Sequence, residues 1–247
     1  MITDDNTILH DADIREALVK IDRNNKGFLI VIDANRTVVG VITDGDIRRL
    51  LIQGKNLSSP IAYTEKFAKI FLHDDFATIC SIFKSKKIDF VPIVNERGEL
   101  HDILTKREFH VLLLQDYTFV WENLPEIDET VLDHEIYNRP WGFYKTTLYS
   151  EYAQAKVITL FPDSELSLQE HKKREEHWVV IKGEGKVVLG ESELDIFPGR
   201  YIYIPKGCRH QLVNTSLHTN LIVSEVQLGD YFGEDDIIRY KDKYERI

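Results

Sequence analysis

The 247-residue chain is acidic, with a formal net charge of −10, 43% hydrophobic residues and two cysteines, Cys80 and Cys208. This length suggests one large or two ordinary domains with buried cores, and two cysteines are too few for a disulfide framework, which favours a reducing compartment. An acidic chain without a basic stripe is a poor nucleic-acid binder. No stretch has the features of a signal peptide or a membrane span. We therefore expect a soluble cytoplasmic protein that binds neither nucleic acid nor membranes.

The first half of the chain contains an internal repeat, because Leu9-His10-Asp11 recurs as Leu72-His73-Asp74. A repeat of this length is one supersecondary unit copied once. In each copy an apolar stripe at helical spacing follows two candidate capping aspartates, and two strands joined by a hairpin turn come next. The candidate caps are Asp11 or Asp13 and Asp74 or Asp75, the predicted strands are 28–32, 38–42, 90–94 and 100–104, and a further helix begins at Gly45-Asp46.

The second half has a different pattern. Residues 116–132 are predicted to form a linker, because acidic residues crowd around Pro125. Short β-branched and aromatic segments at 186–189, 201–204 and 221–226 then alternate with glycine and proline turns. This pattern is typical of an all-β barrel or sandwich. The predicted domains are therefore 1–115 and 133–247.

The stretch Thr43-Asp44-Gly45-Asp46 lies where a predicted strand ends and a helix begins. A hydroxyl group and the free N–H groups of a helix start suit a phosphate. The Asp46 carboxylate can accept hydrogen bonds from a ribose diol, and Arg48 or Arg49 can pair with phosphate. The alternative interpretation is that Thr43 caps the helix and both arginines lie at the surface.

The repeat resembles a tandem CBS pair, a regulatory α+β module that often binds adenine nucleotides between its repeats. Residues 40–46, Gly-Val-Ile-Thr-Asp-Gly-Asp, are similar to the phosphate- and ribose-binding stretch of that family. The resemblance, which is greatest to CBS pairs found beside sugar-phosphate nucleotidyltransferases, implies that Thr43, Asp46 and Arg48 bind regulatory AMP or ATP, or that the pair only dimerises. In the second copy Asp102 and Glu108 replace the family's glycine and aspartate, so one nucleotide site is expected rather than two.

Two spaced motifs in the second half predict a metal site. Gln169 and His171 share one face of a strand, since side chains alternate, and a hairpin is expected to return Glu176 beside them. The stretch Pro205-Lys206-Gly207 precedes a second imidazole, His210, after a tight turn. Two imidazoles, one carboxylate and one amide suit a first-row divalent ion, with zinc preferred over iron, manganese, nickel or cobalt. His134 and His218 lack such spacing and are interpreted as structural or surface residues.

These motifs resemble the paired motifs of the cupin superfamily, whose fold is a double-stranded β-helix or jelly-roll barrel. Further stretches resemble the type II mannose-6-phosphate isomerase cupin, which is often the C-terminal half of a bifunctional mannose-1-phosphate guanylyltransferase. Gln211 and Glu245 depart from that family at a usual arginine and at a usual Tyr-Gly-Arg ending. Because no glycine-rich, basic pyrophosphorylase signature occurs, the chain is not expected to make GDP-mannose. The similar stretches are 139–142, 166–169, 174, 176–180, 225–227 and 233–239.

The resemblance implies a metal-dependent isomerase that interconverts mannose 6-phosphate and fructose 6-phosphate through a cis-enediol, with a phosphorylated sugar as substrate and a CBS pair that dimerises or senses an adenine nucleotide. A homodimer is expected, since both kinds of unit commonly pair. The alternative is a cupin enzyme or sensor for another phosphorylated or nucleotide-linked sugar in surface-polysaccharide synthesis. The candidate bases are His177, Lys156, Glu225 and Asp236, and the candidate phosphate-binding residues are Arg139, Arg174, Arg239 and again Lys156.

Overall fold

A computed structural model describes residues 4–84, 87–115 and 127–244. The chain forms two compact units, one mainly from residues up to His110 and the other mainly from residues after Asp128. Most of the predicted linker, residues 116–126, lies outside the described residues, as does Glu245. None of the helices in the described ranges has the length and apolar content that a membrane span requires.

The N-terminal unit contains the predicted repeat as two copies of one β-α-β-β-α module. Each copy has a three-stranded sheet, in the orders β1-β2-β3 and β4-β5-β6. The first strand of each sheet runs parallel to the second, and the third is antiparallel. The elements are β1 (Thr7–Leu9), α1 (Ile14–Asn24), β2 (Phe28–Ile32), β3 (Val38–Thr43), α2 (Asp44–Ile52), β4 (Ile70–Phe71), α3 (Phe76–Phe83), β5 (Phe90–Val94), β6 (Leu100–Thr105) and α4 (Lys106–Leu114).

Local capping explains where the first helix of each copy begins. Of the candidate caps, Asp13 accepts a hydrogen bond from the Glu16 backbone and Asp75 accepts one from Thr78, which satisfies an N–H group that the helix leaves free. The sequence pattern predicts a helix as the first element of each copy, and this was wrong because a short strand precedes that helix. The strands β1 and β4 are three and two residues long, too short to show a periodicity.

The C-terminal unit is a barrel of two antiparallel sheets, in the orders β13-β12-β15-β10-β17 and β14-β11-β16-β9-β8-β7. From β10 onward the chain passes back and forth between the two sheets, except at the β12–β13 hairpin, which stays within one sheet. This is the topology of a double-stranded β-helix. The strands are β7 (Ile136–Arg139), β8 (Gly142–Tyr149), β9 (Ala153–Leu160), β10 (Leu168–His171), β11 (Arg174–Lys182), β12 (Gly185–Leu189), β13 (Ser192–Ile196), β14 (Tyr201–Ile204), β15 (His210–Val213), β16 (Leu221–Gly229) and β17 (Ile237–Lys241), with 3-10 helices at Glu129–His134 and Glu234–Asp236.

The predicted hairpin between His171 and Glu176 does not form. The strands β10 and β11 follow each other closely in sequence, yet they belong to different sheets. The turn between them therefore crosses from one sheet to the other, and Glu176 faces His171 across the barrel interior.

The interior of the barrel has an apolar core and a polar site. Inward positions of β11 are almost fully buried, with Trp178 at 0% and Glu176 at 1% exposure. Trp178 packs in a core with Trp141, Leu212 and Val223, which holds the two sheets together. A carboxylate buried in the same interior requires charged or hydrogen-bonding partners.

Candidate metal centre and catalytic cavity

Three buried side chains from both sheets converge on one point. His171 ends β10, Glu176 lies on β11 and His210 begins β15. His171 Nε2 lies 3.0 Å from Glu176 Oε1, and His210 Nε2 lies 3.5 Å from Glu176 Oε2. The ligand atoms that the three residues offer lie within 4.8 Å of one another. This spacing and this mixture of donors suit a divalent metal ion.

The orientation of the His210 ring fits a metal ligand. Its Nδ1–H donates to the Cys208 carbonyl oxygen at 3.0 Å, which leaves Nε2 as the lone-pair nitrogen. Among the described residues, this buried Nε2 has no hydrogen-bond partner. Burial lowers the pKa of His210 by more than Glu176 raises it. The ring is therefore neutral near pH 7, the form that coordinates a metal.

Gln169, the fourth predicted ligand, lies beside this cluster. Its β10 position is in register with His210 on β15, and its Nε2 lies 3.4 Å from His171 Nε2. Its Oε1 accepts a hydrogen bond from Ser167 Oγ at 2.9 Å. Because an amide can turn over and exchange the places of its oxygen and nitrogen, this side chain can present an oxygen to an ion. The structure thus brings all four predicted ligands together.

Glu176 is held ionised by its surroundings. It accepts hydrogen bonds from Trp178 Nε1 at 3.1 Å and from Gln227 Nε2 at 2.8 Å. Burial raises the pKa of Glu176, but the hydrogen bond with His171 and the nearby positive charges outweigh that effect and hold the pKa well below its usual value. The centre therefore offers a negative ligand at neutral pH.

Arg174 and Asp236 hold the candidate metal site in place. Arg174 is 2% exposed, and its Nε lies 3.4 Å from Glu176 while Nη1 donates to the Gly233 carbonyl at 3.3 Å. Asp236 accepts hydrogen bonds from the backbone N–H groups of Lys172 and Lys173 at 3.3 and 3.1 Å. These two lysines form the turn that joins β10 to β11. Asp236 is not among the described residues that line the cavity. The prediction of Asp236 as a base is corrected by this position. Arg174 lines the cavity, so its predicted phosphate contact stays a prediction, although its guanidinium also contacts Glu176 and Gly233.

A cavity of about 300 Å³ opens beside the metal ligands. Lys156 on β9 and Glu225 on β16 face each other in it, with Nζ 3.9 Å from Oε1. Gln227 connects this pair to the metal centre, because its Nε2 also lies 2.9 Å from Glu225 Oε1. Burial, assisted by the negative charge of Glu176 and opposed by Lys156, raises the pKa of Glu225 to about 8. Glu225 is therefore a buried carboxyl group that can exchange a proton near neutral pH.

Two arginines stand at the mouth of this cavity. Glu234 bridges them, at 3.0 Å from Arg139 Nη2 and 3.2 Å from Arg239 Nη2. The buried Nε of Arg239 has no hydrogen-bond partner among the described residues. Paired guanidinium groups with an unused N–H donor suit a phosphate.

His177 does not reach the cavity. It follows Glu176 on β11 and therefore faces the outside of the sheet, where its Nδ1 lies 2.6 Å from the Tyr201 hydroxyl and its Nε2 lies 3.5 Å from Glu175. The prediction of His177 as a base in this cavity is corrected by this position.

Gln211 occupies the corresponding outward position on β15, after His210. Its Nε2 donates to the Leu166 carbonyl at 2.8 Å, and the residue is not among the described residues that line the cavity. The absence of the family's usual arginine at this position therefore removes no cation from the cavity described here.

The N-terminal unit contains a separate cavity of about 230 Å³, lined by residues of both copies. Thr43 and Asp46 of the first copy line it, together with Thr64, Lys66 and, from the second copy, Phe90. Thr43 also caps α2: its Oγ accepts from the Asp46 backbone at 3.2 Å, while Asp46 accepts from the Thr43 backbone at 2.8 Å. This reciprocal arrangement is a capping box. The capping alternative is therefore what the structure shows for Thr43, although both side chains still face the cavity.

Arg48 lies away from that cavity. It pairs with Asp44 at 3.3 Å and its side chain is 70% exposed, so its predicted phosphate contact is corrected. In the second copy, Glu108 forms a capping box with Thr105 and lies 3.2 Å from Lys26 Nζ. Glu108 thus corresponds to Asp46 of the first copy, and it forms an ion pair with Lys26.

The alternating two-sheet barrel with its buried His–Glu cluster defines the C-terminal unit as a cupin, preceded by a CBS-like module. Residues 126–242 match the family described as Mannose-6-phosphate isomerase C-terminal, and residues 1–53 match the family described as CBS domain. Two segments of the chain therefore match two families, a CBS domain at 1–53 and a mannose-6-phosphate isomerase C-terminal cupin domain at 126–242.

Several known proteins are similar to slightly less than half of the chain. Xanthan biosynthesis protein XanB of Xanthomonas campestris is 44% identical over 114 residues, covering 46% of this chain and 24% of XanB. A mannose-1-phosphate guanylyltransferase of Salmonella montevideo is 38% identical over 118 residues, covering 48% and 25%. The chain thus spans about a quarter of the length of these curated relatives. A solved double-stranded β-helix protein from Klebsiella pneumoniae is 17% identical, with a TM-score of 0.38, and covers 45% of this chain and 95% of that chain.

Sequence reasoning missed two residues of the site. Gln227 joins Glu176 to Glu225, and Glu234 bridges the two arginines at the mouth. The alternation of Glu225 and Gln227 on one strand was a signal for the first, since residues two apart share a face. Glu234 bridges Arg239, which is near in sequence, to Arg139, which is far away, and the contact with Arg139 leaves no local pattern.

Proposed function

We propose that the cupin domain is a metal-dependent enzyme that acts on a phosphorylated sugar, and that it interconverts mannose 6-phosphate and fructose 6-phosphate. The observation that carries this proposal is the set of groups that meet at one cavity. Glu176 of the two-histidine, one-carboxylate cluster lines it, and so do the Lys156–Glu225 pair and the two arginines, Arg139 and Arg239. A sugar phosphate presents oxygens, an acidic C–H bond and a phosphate, which match these three kinds of group.

Gln169, His171, Glu176 and His210 would hold the ion. Zinc suits this nitrogen- and oxygen-rich set, and iron, manganese, nickel or cobalt are alternatives. When bound, the ion would act as a Lewis acid that polarises a sugar carbonyl and stabilises developing negative charge. Arg174, through Glu176 and Asp236, keeps the ligand-bearing strands in place.

The cavity's remaining polar groups would position the substrate. Arg139 and Arg239 would receive the phosphate, with Lys156 on the inner side. Trp141 Nε1 and Gln227 Oε1 are buried and have no hydrogen-bond partner among the described residues, and both residues line the cavity. A buried polar atom without a partner is costly, so these two atoms suit the hydroxyl groups of a sugar.

Glu225 would be the base. Its carboxylate would take the proton from carbon 2 and return it to carbon 1, while a proton moves between the two substrate oxygens to complete the enediol. Lys156, on the neighbouring strand, would stabilise the ionised form of Glu225 and orient it. This assignment leaves one base, Glu225, from the four candidates in the sequence.

The names of the relatives support an alternative. Xanthan biosynthesis and mannose-1-phosphate guanylyl transfer both favour another phosphorylated or nucleotide-linked sugar in surface-polysaccharide synthesis, on which the domain would act as an enzyme or a sensor. Those names describe proteins of which this chain spans about a quarter.

One assay separates the two candidates. Metal-loaded protein is supplied with mannose 6-phosphate, and fructose 6-phosphate is measured, with other hexose phosphates in parallel. Turnover of mannose 6-phosphate that disappears in His171→Ala supports the isomerase. Absence of turnover in wild-type protein with a full metal complement would exclude that reaction, and turnover of another sugar in the panel would favour the alternative.

The N-terminal unit is proposed to bind an adenine nucleotide at the Thr43–Asp46 cavity and to contribute to a homodimer. AMP and ATP should raise the melting temperature of the wild type but not of Asp46→Ala. Light scattering should give twice the chain mass of 28.8 kDa. A monomeric mass would reject the homodimer. Absence of any nucleotide effect on stability or turnover would reject nucleotide binding.

A further inference from the structure

A second cavity, of about 480 Å³, adjoins the catalytic cavity in the cupin domain. The two cavities share Arg139, Tyr144, Lys156 and Glu234 in their linings. The cationic groups therefore stand at a junction between two spaces and not at a closed end. A sugar carrying a terminal phosphate would use the catalytic cavity and this junction, and would leave the second cavity open.

Aromatic rings line much of the second cavity. Tyr137 and Tyr144 are stacked with ring centroids 5.0 Å apart, and the Arg139 guanidinium lies 5.0 Å from the Tyr137 ring. Tyr149 and Phe232 add two further rings. Flat aromatic walls beside cations favour a planar ring system attached to an anion, because stacking and charge pairing can then act together.

Gln154 supplies a polar contact inside this aromatic cavity. It lines the cavity, and its buried Oε1 has no hydrogen-bond partner among the described residues. Buried amide oxygens normally have a partner. This atom would accept a hydrogen bond from a nucleobase N–H or a ribose hydroxyl.

We propose that this second cavity, lined by Tyr137, Tyr144, Tyr149, Gln154 and Phe232, binds the nucleoside part of a nucleoside diphosphate. The diphosphate would lie at the junction, against Arg139 and Lys156. The same chemistry is present in a free nucleoside diphosphate and in a nucleoside-diphosphate sugar. Because the ligand would occupy the cations proposed for the substrate phosphate, it would compete with the sugar phosphate. The competition, unlike the binding, rests on the proposed function.

Direct binding is measured by calorimetry on the full chain, with GDP and UDP as free diphosphates and GDP-mannose and UDP-glucose as the sugar-linked forms. Wild-type protein should bind at least one of the four. Phe232→Ala and Gln154→Ala should each weaken that binding at least tenfold and leave the metal content and the kcat for sugar phosphate unchanged. Comparison of the free and linked ligands shows which source is preferred.

The CBS cavity is the internal control, since it is also proposed to bind a nucleotide. Asp46→Ala should leave diphosphate binding to the cupin cavity intact. Binding lost in Asp46→Ala and kept in both cavity variants would overturn the proposal, as would no binding of any of the four ligands to metal-loaded wild type. In steady-state assays the ligand should raise the KM for sugar phosphate at constant kcat. A ligand that binds but lowers kcat without changing KM would overturn the proposed competition and leave the proposed binding intact. If the chain has no turnover, the calorimetric measurement alone tests the proposed binding.

Discussion

Lys156 and Glu225 are direct cross-strand neighbours on β9 and β16, with Lys156 Nζ 3.9 Å from Glu225 Oε1. Both residues line the proposed catalytic cavity beside the candidate metal ligands. A buried carboxyl group and an amine in this arrangement share one ionisation equilibrium, since each stabilises the charged form of the other. The pair therefore gives the cavity a proton acceptor that is separate from the metal ligands.

Glu225→Gln should lower kcat by about 10²- to 10⁴-fold, the usual contribution of a general base. The metal content, measured by elemental analysis, should stay the same, because Glu225 is not a ligand. Lys156→Met serves as the partner variant and should lower kcat less. Full activity in Glu225→Gln would show that the base is another group.

The pH dependence of turnover provides an independent check. A base must be ionised to act, and burial raises the pKa of Glu225 to about 8, well above the ordinary value of about 4.3. The value of kcat/KM should therefore rise with pH in a range that lies above the ordinary pKa of glutamate. Glu225→Asp should keep such a rise at lower activity, whereas a flat profile between pH 5 and 8 (the range about the ordinary histidine pKa) in wild type would contradict the assignment.

The proposed metal centre predicts loss of the ion from two variants. His171→Ala removes a donor, and Glu176→Gln removes the one negative charge, from a site with four proposed ligands. Metal stoichiometry after dialysis should therefore fall to a small fraction of the wild-type value in both. His218→Ala is the matched control, because His218 is exposed, and its metal content should equal that of the wild type. Retention of metal in both ligand variants would place the ion elsewhere.

The sequence was informative where structure depends on near neighbours. The strand pairs β2–β3 and β5–β6 follow from local spacing, and the structure confirms them. Local spacing also gave two candidate caps for each helix, of which the structure shows Asp13 and Asp75. The four-residue metal cluster could be predicted because its spacing is characteristic of a family. These features leave a pattern in a short stretch of residues.

The errors concern relationships between distant parts of the chain. Sheet membership is not encoded in the turn at Lys172-Lys173, so the crossing from β10 to β11 was taken for a hairpin. Arg174 could be recognised as a cation, but its partners Gly233 and Asp236 come about 60 residues later. The sequence shows the chemical type of a side chain, but it does not show which distant residue that side chain contacts.

Gly142 predicts a stability effect inside the barrel. Its φ is +146°, and a Cβ there would collide with the Thr159 carbonyl oxygen on the paired strand. Gly142→Ala should destabilise the protein by more than the roughly 1–3 kcal/mol of backbone strain alone, measured by urea unfolding. Gly199→Ala is the matched control, since Gly199 also has positive φ but nothing within 4 Å of its Cβ position. Equal losses in the two variants would show that the strand shifts to accept the methyl group.

The capping box in the first CBS copy predicts a stability effect that depends on pH. Burial raises the pKa of Asp46, but its hydrogen bonds with Thr43 and the charge of Arg49 outweigh this and lower the pKa below its usual value. A carboxyl group with a lowered folded pKa contributes stability above its unfolded pKa, about 3.9, and loses it as pH falls through the folded pKa. Asp46→Ala should therefore cost about 1 kcal/mol at pH 7, and the cost should shrink below pH of about 4.

The measurement is urea unfolding of wild type and Asp46→Ala at a neutral and an acidic pH. Asp22→Ala, an exposed aspartate on the neighbouring helix α1, should differ from wild type by less than about 0.5 kcal/mol at both. A cost for Asp46→Ala that stays constant between the two pH values would mean that the hydrogen bonds with Thr43 do not depend on the ionised carboxylate. The cap would then stabilise α2 through shape and packing, and the pKa of Asp46 would have no consequence for folding.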